Sequence, residues 1–507
     1  MLTARTALLV FVATFTFAAA SPAQSPAPAA PAGSTLTLQQ AIAQALRQNR
    51  TIKVQAYDPA ISRANVLTAY GRFDPALTFR RSYSEDNVPF SANPVVNQLT
   101  KTDDYSLTLD GLSPIGTQYS LGASAENLRG TFNGFADNYV TFGGLTVTQP
   151  LLRGFGFGAN LYDLRVARAD RGIADWTFRQ TVIDTITSVI YAYNNLINAQ
   201  QQLRVAQRSR ELAAQLVGEN EKRFQVGSMS ASDVTEARAR TATREEAVIV
   251  AEQGVRDSDN ALRRLIGEKD FPLNGPLLTV ETPDVPAITV DPVADYRRAL
   301  DLRPDYRSSQ LGVAKRAANR SYARNQLLPR VDFVGSYGYN GLDPSFAASR
   351  HMVADRDRVS YSAGVVVSVP LTFADGRGRA RAARLQLAQA EADLDRLEQD
   401  IALNIAHAAA DIDTSRRRVA ANQTAYDLAK QALDAELKKL RAGQSSTFFV
   451  LNLQEELSYV ETALSAALAA QRRAVAAYDR EIGTTLERYH VTLTPSADRP
   501  ATTTLAH

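Results

Sequence analysis

The chain is written twice, and this constrains its fold more than any single motif. Phe73-Asp-Pro75-Ala-Leu-Thr-Phe79-Arg-Arg-Ser-Tyr83 resembles Leu327-Leu-Pro329-Arg-Val-Asp-Phe333-Val-Gly-Ser-Tyr337, with Pro75/Pro329, Phe79/Phe333 and Tyr83/Tyr337 each 254 apart. Ala45-Leu46 and Ala299-Leu300 keep that offset. Gln149-Pro150-Leu151 pairs with Val369-Pro370-Leu371 at 220, and a Gly/Arg cluster follows each: Gly154 and Gly156 in one copy, Gly376 and Gly378 in the other. Arg223-Phe-Gln-Val226-Gly227-Ser228 pairs with Lys439-Leu-Arg-Ala442-Gly443-Gln444 at 216, as does Leu265-Ile266-Gly267 with Glu481-Ile482-Gly483. The falling offset gives the first copy 34 extra residues between its two prolines and 4 more before its glycine. Such duplication makes each copy one structural unit that packs against the other.

Each copy reads helix, strand, strand, long helix, glycine turn, long helix. The first repeat spans 35–267, with strands near 75–86 and 139–149 and a helical hairpin over 160–266 whose tip is near 227. The second spans 294–483, with strands near 330–341 and 358–369 and a hairpin over 376–482 whose tip is near 443. A proline-rich linker over 268–293 separates them, and a tail over 484–507 follows. Ile405, Ile412, Val419, Tyr426, Leu433 and Leu440 recur every seven residues. Their first-copy equivalents are Val189, Leu196, Leu203, Arg210, Val217 and Phe224. Sustained heptads predict coiled-coil packing. No proline interrupts Leu151 to Phe271 or Leu371 to Val491. A helix from Asn160 to Phe224 would be roughly 100 Å long, too long for the outer layer of a compact globule.

The strands have period two. Val359, Tyr361, Ala363, Val365 and Val367 alternate with Ser360, Ser362, Gly364, Val366 and Ser368; Leu77, Phe79 and Tyr83 alternate with Thr78, Arg80 and Ser82. About ten residues each, with tyrosines near the ends, they suit a barrel wall facing lipid on one side and water on the other. The N-terminus supports export. Arg5, the apolar run Ala7 to Phe17 and Ala18-Ala19-Ala20-Ser21 read as a signal peptide over 1–20, followed by a Pro/Ala linker over 21–34. No later window holds 18 apolar residues, so no spanning helix is expected. The chain has no cysteine, which removes disulfides and thiolate chemistry. His351, His407, His490 and His507 have no metal-ligand spacing, and no cofactor is expected. With 56 basic and 53 acidic residues and no dense basic run, nucleic acid is not an expected partner. No nucleophile lies in a recognised catalytic motif, so the expectation is not an enzyme.

One motif points elsewhere. Gly154-Phe-Gly156-Phe-Gly158-Ala159 is a G-x-G-x-x-A after a strand and before a helix, with Asp175 downstream, as in dinucleotide-binding proteins. Context rejects it. The helix continues for about 65 residues where a crossover of ordinary length is needed, and the preceding strand is Thr-rich and alternating rather than uniformly apolar. What the copies share is proline plus glycine where a strand exits: Pro150, Gly154 and Gly156, and Pro370, Gly376 and Gly378.

These features together resemble the TolC family of outer-membrane efflux and secretion ducts, from about Leu36 to Gly483. The most specific parts are the repeat, the Gln149-Pro-Leu-Leu-Arg-Gly154 exit and Arg223-Phe-x-Val-Gly227-x(5)-Asp233-Val234-x-x-Ala237. The resemblance implies an α+β membrane protein: a homotrimeric, twelve-stranded β-barrel of four strands per chain, continuous with a long helical coiled-coil barrel. The barrel would sit in outer-membrane lipid and the tunnel in the periplasm. The implied function is passive conduction from a periplasmic adaptor and an inner-membrane pump, in tripartite efflux or type I secretion. Four strands leave open edges in lipid, which independently demands oligomerisation. The insertion over 88–138 is expected to form an extracellular hairpin from Tyr105–Leu109 and Tyr119–Ala125, with a loop over 127–138.

The resemblance also assigns sites. The adaptor would meet the hairpin tips, at Val226, Gly227 and Ser228 and at Ala442, Gly443 and Gln444. Family members carry aspartates ringing the entrance where this chain has Phe449 and Asn452, so Phe448 or Phe449 is expected to narrow the aperture as a hydrophobic constriction. Two other readings share some of these features: a secreted trimeric coiled-coil fibre or adhesin, which does not explain the strand pairs, and a periplasmic adaptor, which carries one hairpin rather than two.

Overall fold

A computed structural model describes residues 35–92, 95–268, 277–279, 288–494 and 502–505. The expected signal peptide and Pro/Ala linker lie outside the described residues, as does most of the proline-rich linker. The first repeat contains α1 (Leu38–Gln48), α2 (Tyr57–Tyr70), β1 (Ala76–Ala92), β2 (Val95–Leu112), β3 (Gln118–Gly130), β4 (Tyr139–Pro150), α3 (Tyr162–Gln225) and α4 (Ala231–Ile266). The second contains α5 (Pro292–Leu302), α6 (Pro304–Asn325), β5 (Arg330–Asp343), α7 (Phe346–Ala354), β6 (Val359–Ser368), α8 (Ala374–Arg441) and α9 (Thr447–Ile482).

The duplication holds down to single hydrogen bonds. In the first repeat Asn49 Nδ2 donates to the Leu265 carbonyl near the end of the return helix, at 2.7 Å. In the second, Arg303 Nη1 donates to the Glu481 carbonyl at 2.9 Å. Asn49 and Arg303 are 254 apart and the two carbonyls 216 apart, the offsets found in the sequence. Each repeat thus ties its entry helices to its own return helix, satisfying carbonyls that a helix end leaves open.

The six strands form one antiparallel sheet, in the order β1-β2-β3-β4-β5-β6. This corrects the expectation of four strands per chain. The insertion does not protrude as a hairpin: β2 pairs with β1 from Ala76↔Asp110 to Ala92↔Val95, and β3 pairs with both β2 and β4 along its length. The turn between β2 and β3 lies at the helical end, where the Gly156 amide donates to the Ile115 carbonyl at 2.9 Å. Only the connections at the opposite end point away from the helices. An insertion between antiparallel neighbours adds strands in pairs, and 34 residues suffice for two in full register.

Up to an irregularity between Pro89 and Ser91, the register gives the sheet one parity. Odd-numbered residues share a face across all six strands, as in the row Leu77, Leu109, Leu121, Leu145, Tyr337, Tyr361. Toward the helices that face is apolar and largely exposed in the single chain. The even face carries Thr78, Ser82, Ser106, Ser120, Ser336 and Ser362, with Ser336 and Ser362 hydroxyls 2.8 Å apart. This is the alternation of a membrane wall, lipid on one side and water on the other. Both outer edges, on β1 and β6, lack a partner strand within the described residues.

The 64-residue α3 is about 96 Å long and the 68-residue α8 about 102 Å. Three apolar clusters hold the helices. One packs the α3 segment Phe178–Ile197 against α1 and the end of α4; a second packs Ile401, Ile405 and Ile412 of α8 against Ala299, Tyr306, Tyr478 and Ile482; a third, nearer the tips, joins Leu216, Leu433, Leu440, Val450 and Leu451. The second-copy heptad is largely the seam: Ile405, Ile412, Leu433 and Leu440 are buried, and Val419 and Tyr426 half-buried. The first-copy heptad is not. After Val189 and Leu196 the buried positions become Val205, Ser209, Ala213, Leu216 and Asn220, while Arg210 and Phe224 are exposed. Two successive four-residue steps, 205 to 209 to 213, unwind the seam locally in the manner of a stutter.

The stretch expected as a tail is part of the fold. Val491–Thr494 pairs with Thr502–Leu505, and Thr503 Oγ1 donates to the Leu46 carbonyl at 2.9 Å. Within the former linker, Leu278–Thr279 pairs in parallel with Thr35–Leu36.

Candidate functional site

Both hairpins turn on the same backbone. Gly227 and Gly443 have φ of 73° and 75°, the left-handed conformation that ends a helix. The Ser228 amide donates to the Arg223 carbonyl and the Gln444 amide to the Lys439 carbonyl, each at 2.9 Å. Val226, Gly227 and Ser228, like Ala442, Gly443 and Gln444, are exposed at the apex. The spacing after Gly227 that carried the family resemblance resolves into packing. Asp233 and Ser230 form a reciprocal capping box at the start of α4, and Val234 and Ala237 are buried inside the hairpin. The second tip is closed differently: Ser446 makes no side-chain cap, and the Ser445 hydroxyl binds the Glu436 carboxylate, which with Lys439 holds that carboxyl below its usual range.

Beside the tips, α4 of the first hairpin meets α9 of the second through two arginines, Arg240 and Arg244. Arg240 lies over the Phe448 ring at 5.6 Å, donates to Asn452 Oδ1 at 3.3 Å and to Glu236 at 3.1 Å, and lies 3.8 Å from Glu455. Arg244, one turn on, reaches Glu455 at 3.6 Å. Phe448 and Phe449 meet edge to face at 5.7 Å, and both stay about half exposed. Thr447 Oγ1 donates to buried Asn220 Oδ1 at 3.4 Å, linking α9 to α3 as well. The sequence reading found Phe448, Phe449 and Asn452 but not Arg240, Arg244 or Glu455. The i, i+4 arginines were visible, but nothing marked them off from other helix-surface charges.

The strand exits differ between the copies. After Pro150, Gly154 and Gly156 carry φ of 83° and 85°. Asn160 Nδ2 donates to both their carbonyls, at 2.7 and 3.0 Å. A Cβ at Gly116, in the β2–β3 turn, would lie 2.4 Å from the Gly154 carbonyl oxygen. The glycine-rich stretch is therefore a socket for the turn of the added strand pair, not a phosphate cradle. The second copy has no added pair and no such socket. Gly376 and Gly378 do not make its turn, contrary to expectation: the segment after Pro370 is short, α8 begins at Ala374, and Phe373 supplies the reversal at φ 53°. A non-glycine in that region is uncommon.

Among the described residues, no helix is long and apolar enough to cross a membrane, and no cluster of three or more potential ligands is placed to hold a metal. A family model described as outer membrane efflux protein matches residues 41–268 and 296–484, the two repeats without the proline-rich stretch between them. The chain belongs to the outer membrane efflux protein family. It is an outer-membrane channel-tunnel for efflux, its barrel in the membrane and its helical tunnel in the periplasm. It is 25% identical over 340 residues to the outer membrane efflux protein BepC of Brucella suis biovar 1, covering 65% of this chain and 69% of that protein. Its fold is similar to the CmeC outer membrane channel of Campylobacter jejuni, with a TM-score of 0.66, 15% identity and coverage of 88% and 85% of the two chains. It is similar also to VceC of Vibrio cholerae, with a TM-score of 0.64, 17% identity and coverage of 88% and 96%. The OprN channel matches at a TM-score of 0.66 and 20% identity, over 88% and 89%. Family membership removes the fibre and adaptor readings.

Proposed function

We propose that this efflux channel works as a homotrimer whose hairpin tips dock a periplasmic adaptor and, through it, an inner-membrane pump. The observation that carries the reading is the six-stranded sheet with an apolar odd face and two unpaired edges. In lipid each unpaired backbone group costs several kcal/mol, so β1 of one copy must find β6 of the next. Three copies would close eighteen strands, not twelve, above twelve helical columns. The adaptor face is Val226, Gly227 and Ser228 with Ala442, Gly443 and Gln444, the apex an end-on partner reaches first.

The aperture is set by α9. Phe448 and Phe449 stand at its start as the constriction, and Arg240 holds them by its contacts with the Phe448 ring, Asn452 and Glu455. Such a latch is weak enough to be released by a docking partner: each exposed ion pair contributes about 0–1 kcal/mol. Single-channel conductance of the purified trimer tests this. Arg240→Ala should raise the open fraction by about fivefold, the equivalent of about 1 kcal/mol, and Phe448→Ala with Phe449→Ala should raise the closed-state current. If neither changes, the aperture lies elsewhere. A species that is not an oligomer in the outer membrane would defeat the trimer itself.

A further inference from the structure

One helix lies where a membrane protein would usually have lipid. Helix α7, between β5 and β6, folds back over the odd, apolar face. Ser349 is fully buried there: its hydroxyl donates to the Tyr139 carbonyl at 2.9 Å and lies 2.8 Å from Thr141 Oγ1. Phe346 packs on Tyr139 with ring centroids 5.7 Å apart. A Cβ at Gly341 would lie 2.0 Å from the Ser349 carbonyl oxygen, so the helix is seated at backbone contact.

Between α7 and the sheet runs a half-open slot of about 220 Å³, walled by Phe79, Tyr105, Leu107, Ala123, Ala125 and Val353. Its lining is almost wholly apolar, and Arg350 is its one cation. Arg350 is exposed and makes no ion pair among the described residues. The slot also sits at a boundary. Away from the helices, the next odd-face positions carry Arg81, Asp103, Glu85, Lys101 and Arg129, joined by ion pairs. Toward the helices the face is Leu77, Leu109, Leu121 and Leu145. Charge beginning where leucine ends marks the level at which headgroups give way to acyl chains.

We propose that this slot binds one membrane lipid bearing a phosphate headgroup, its acyl chain along Phe79 and Leu107 and its phosphate on Arg350. The chemistry is complementary at both ends: a small-residue floor at Ala123 and Ala125 admits a hydrocarbon chain, and a guanidinium with free donors suits a phosphate. The inference rests on the odd face meeting lipid.

The test is native mass spectrometry of the delipidated, detergent-solubilised oligomer, titrated with phosphatidylglycerol and, separately, with uncharged diacylglycerol. Phosphatidylglycerol should bind first at one per chain and at least about tenfold more tightly than diacylglycerol, as a charge-assisted contact requires. Arg350→Ala should remove that preference, Arg350→Lys should retain most of it, and Ala123→Leu should weaken both lipids by filling the slot. Equal binding of the two lipids, or an unchanged preference in Arg350→Ala, would overturn the proposal. A protein that needs no detergent would instead overturn the barrel reading beneath it.

Discussion

Asp479 and Arg263 occupy equivalent positions in the two repeats, 216 residues apart, and both are buried charges near the end of a return helix. Their surroundings differ. Arg263 is held by Asp259 at 3.0 Å and Glu268 at 2.9 Å. Asp479 has Arg488 Nε at 2.7 Å, but off the hydrogen-bond direction, and burial pushes its carboxyl from 3.8 up to about 6. The folded chain therefore holds a proton that the unfolded chain releases at lower pH. The contribution of Asp479 to stability should fall as pH rises from 3.8 to about 6 and stay at the lower level above it. Asp479→Asn keeps the shape without the titration. Its unfolding midpoint should lose the part of the fall that Asp479 contributes across that window and be higher than the parent's at neutral pH. Equal pH slopes in the two proteins would show that another group carries the dependence.

At the level of elements, the tips and the exits make separate predictions. Ser230→Ala removes the cap of α4 and should cost about 1 kcal/mol, read as faster hydrogen exchange confined to residues around 228–236. Gly116→Leu would push a side chain onto the Gly154 carbonyl and should unseat the β2–β3 turn. The expected result is a lower yield of folded oligomer, with the helical circular-dichroism signal retained; a normal yield would mean the socket is dispensable. These elements were unequally legible. Glycine at 227 and 443 announces a helix end, and alternation in β5 and β6 announces a half-wet sheet. Tyr105–Leu109 and Tyr119–Ala125 also read as strands, but alternation says nothing about which neighbour a strand finds, so their place in the wall emerged only from register. The α3 seam was misjudged because one copy's strict seven-residue spacing was carried to the other, where four-residue steps intervene. The Arg240 contacts were hidden because Glu455 belongs to a different hairpin and is an ordinary surface residue by itself.

For the whole molecule, strand number sets the width of the mouth. Barrel diameter grows roughly in proportion to strand number, so eighteen strands should be about one and a half times as wide as twelve. Averaged images of the oligomer viewed along its axis would distinguish these, and twelve visible strands would mean that β2 and β3 leave the wall on assembly. Removing residues 93–136 leaves β1 and β4 antiparallel and able to pair directly. That variant should still trimerise, with a narrower barrel over an unchanged helical tunnel.

The socket at Gly154 and Gly156 gives this arrangement a modular character. The added strand pair enters and leaves at one end of the sheet, fastened to the tunnel only at its turn, while the four other strands keep the connections found in the second repeat. Calibre at the cell surface is thereby decoupled from the machinery below. A lineage, or an engineer, can widen or narrow the exit in whole hairpins without altering the helical tunnel.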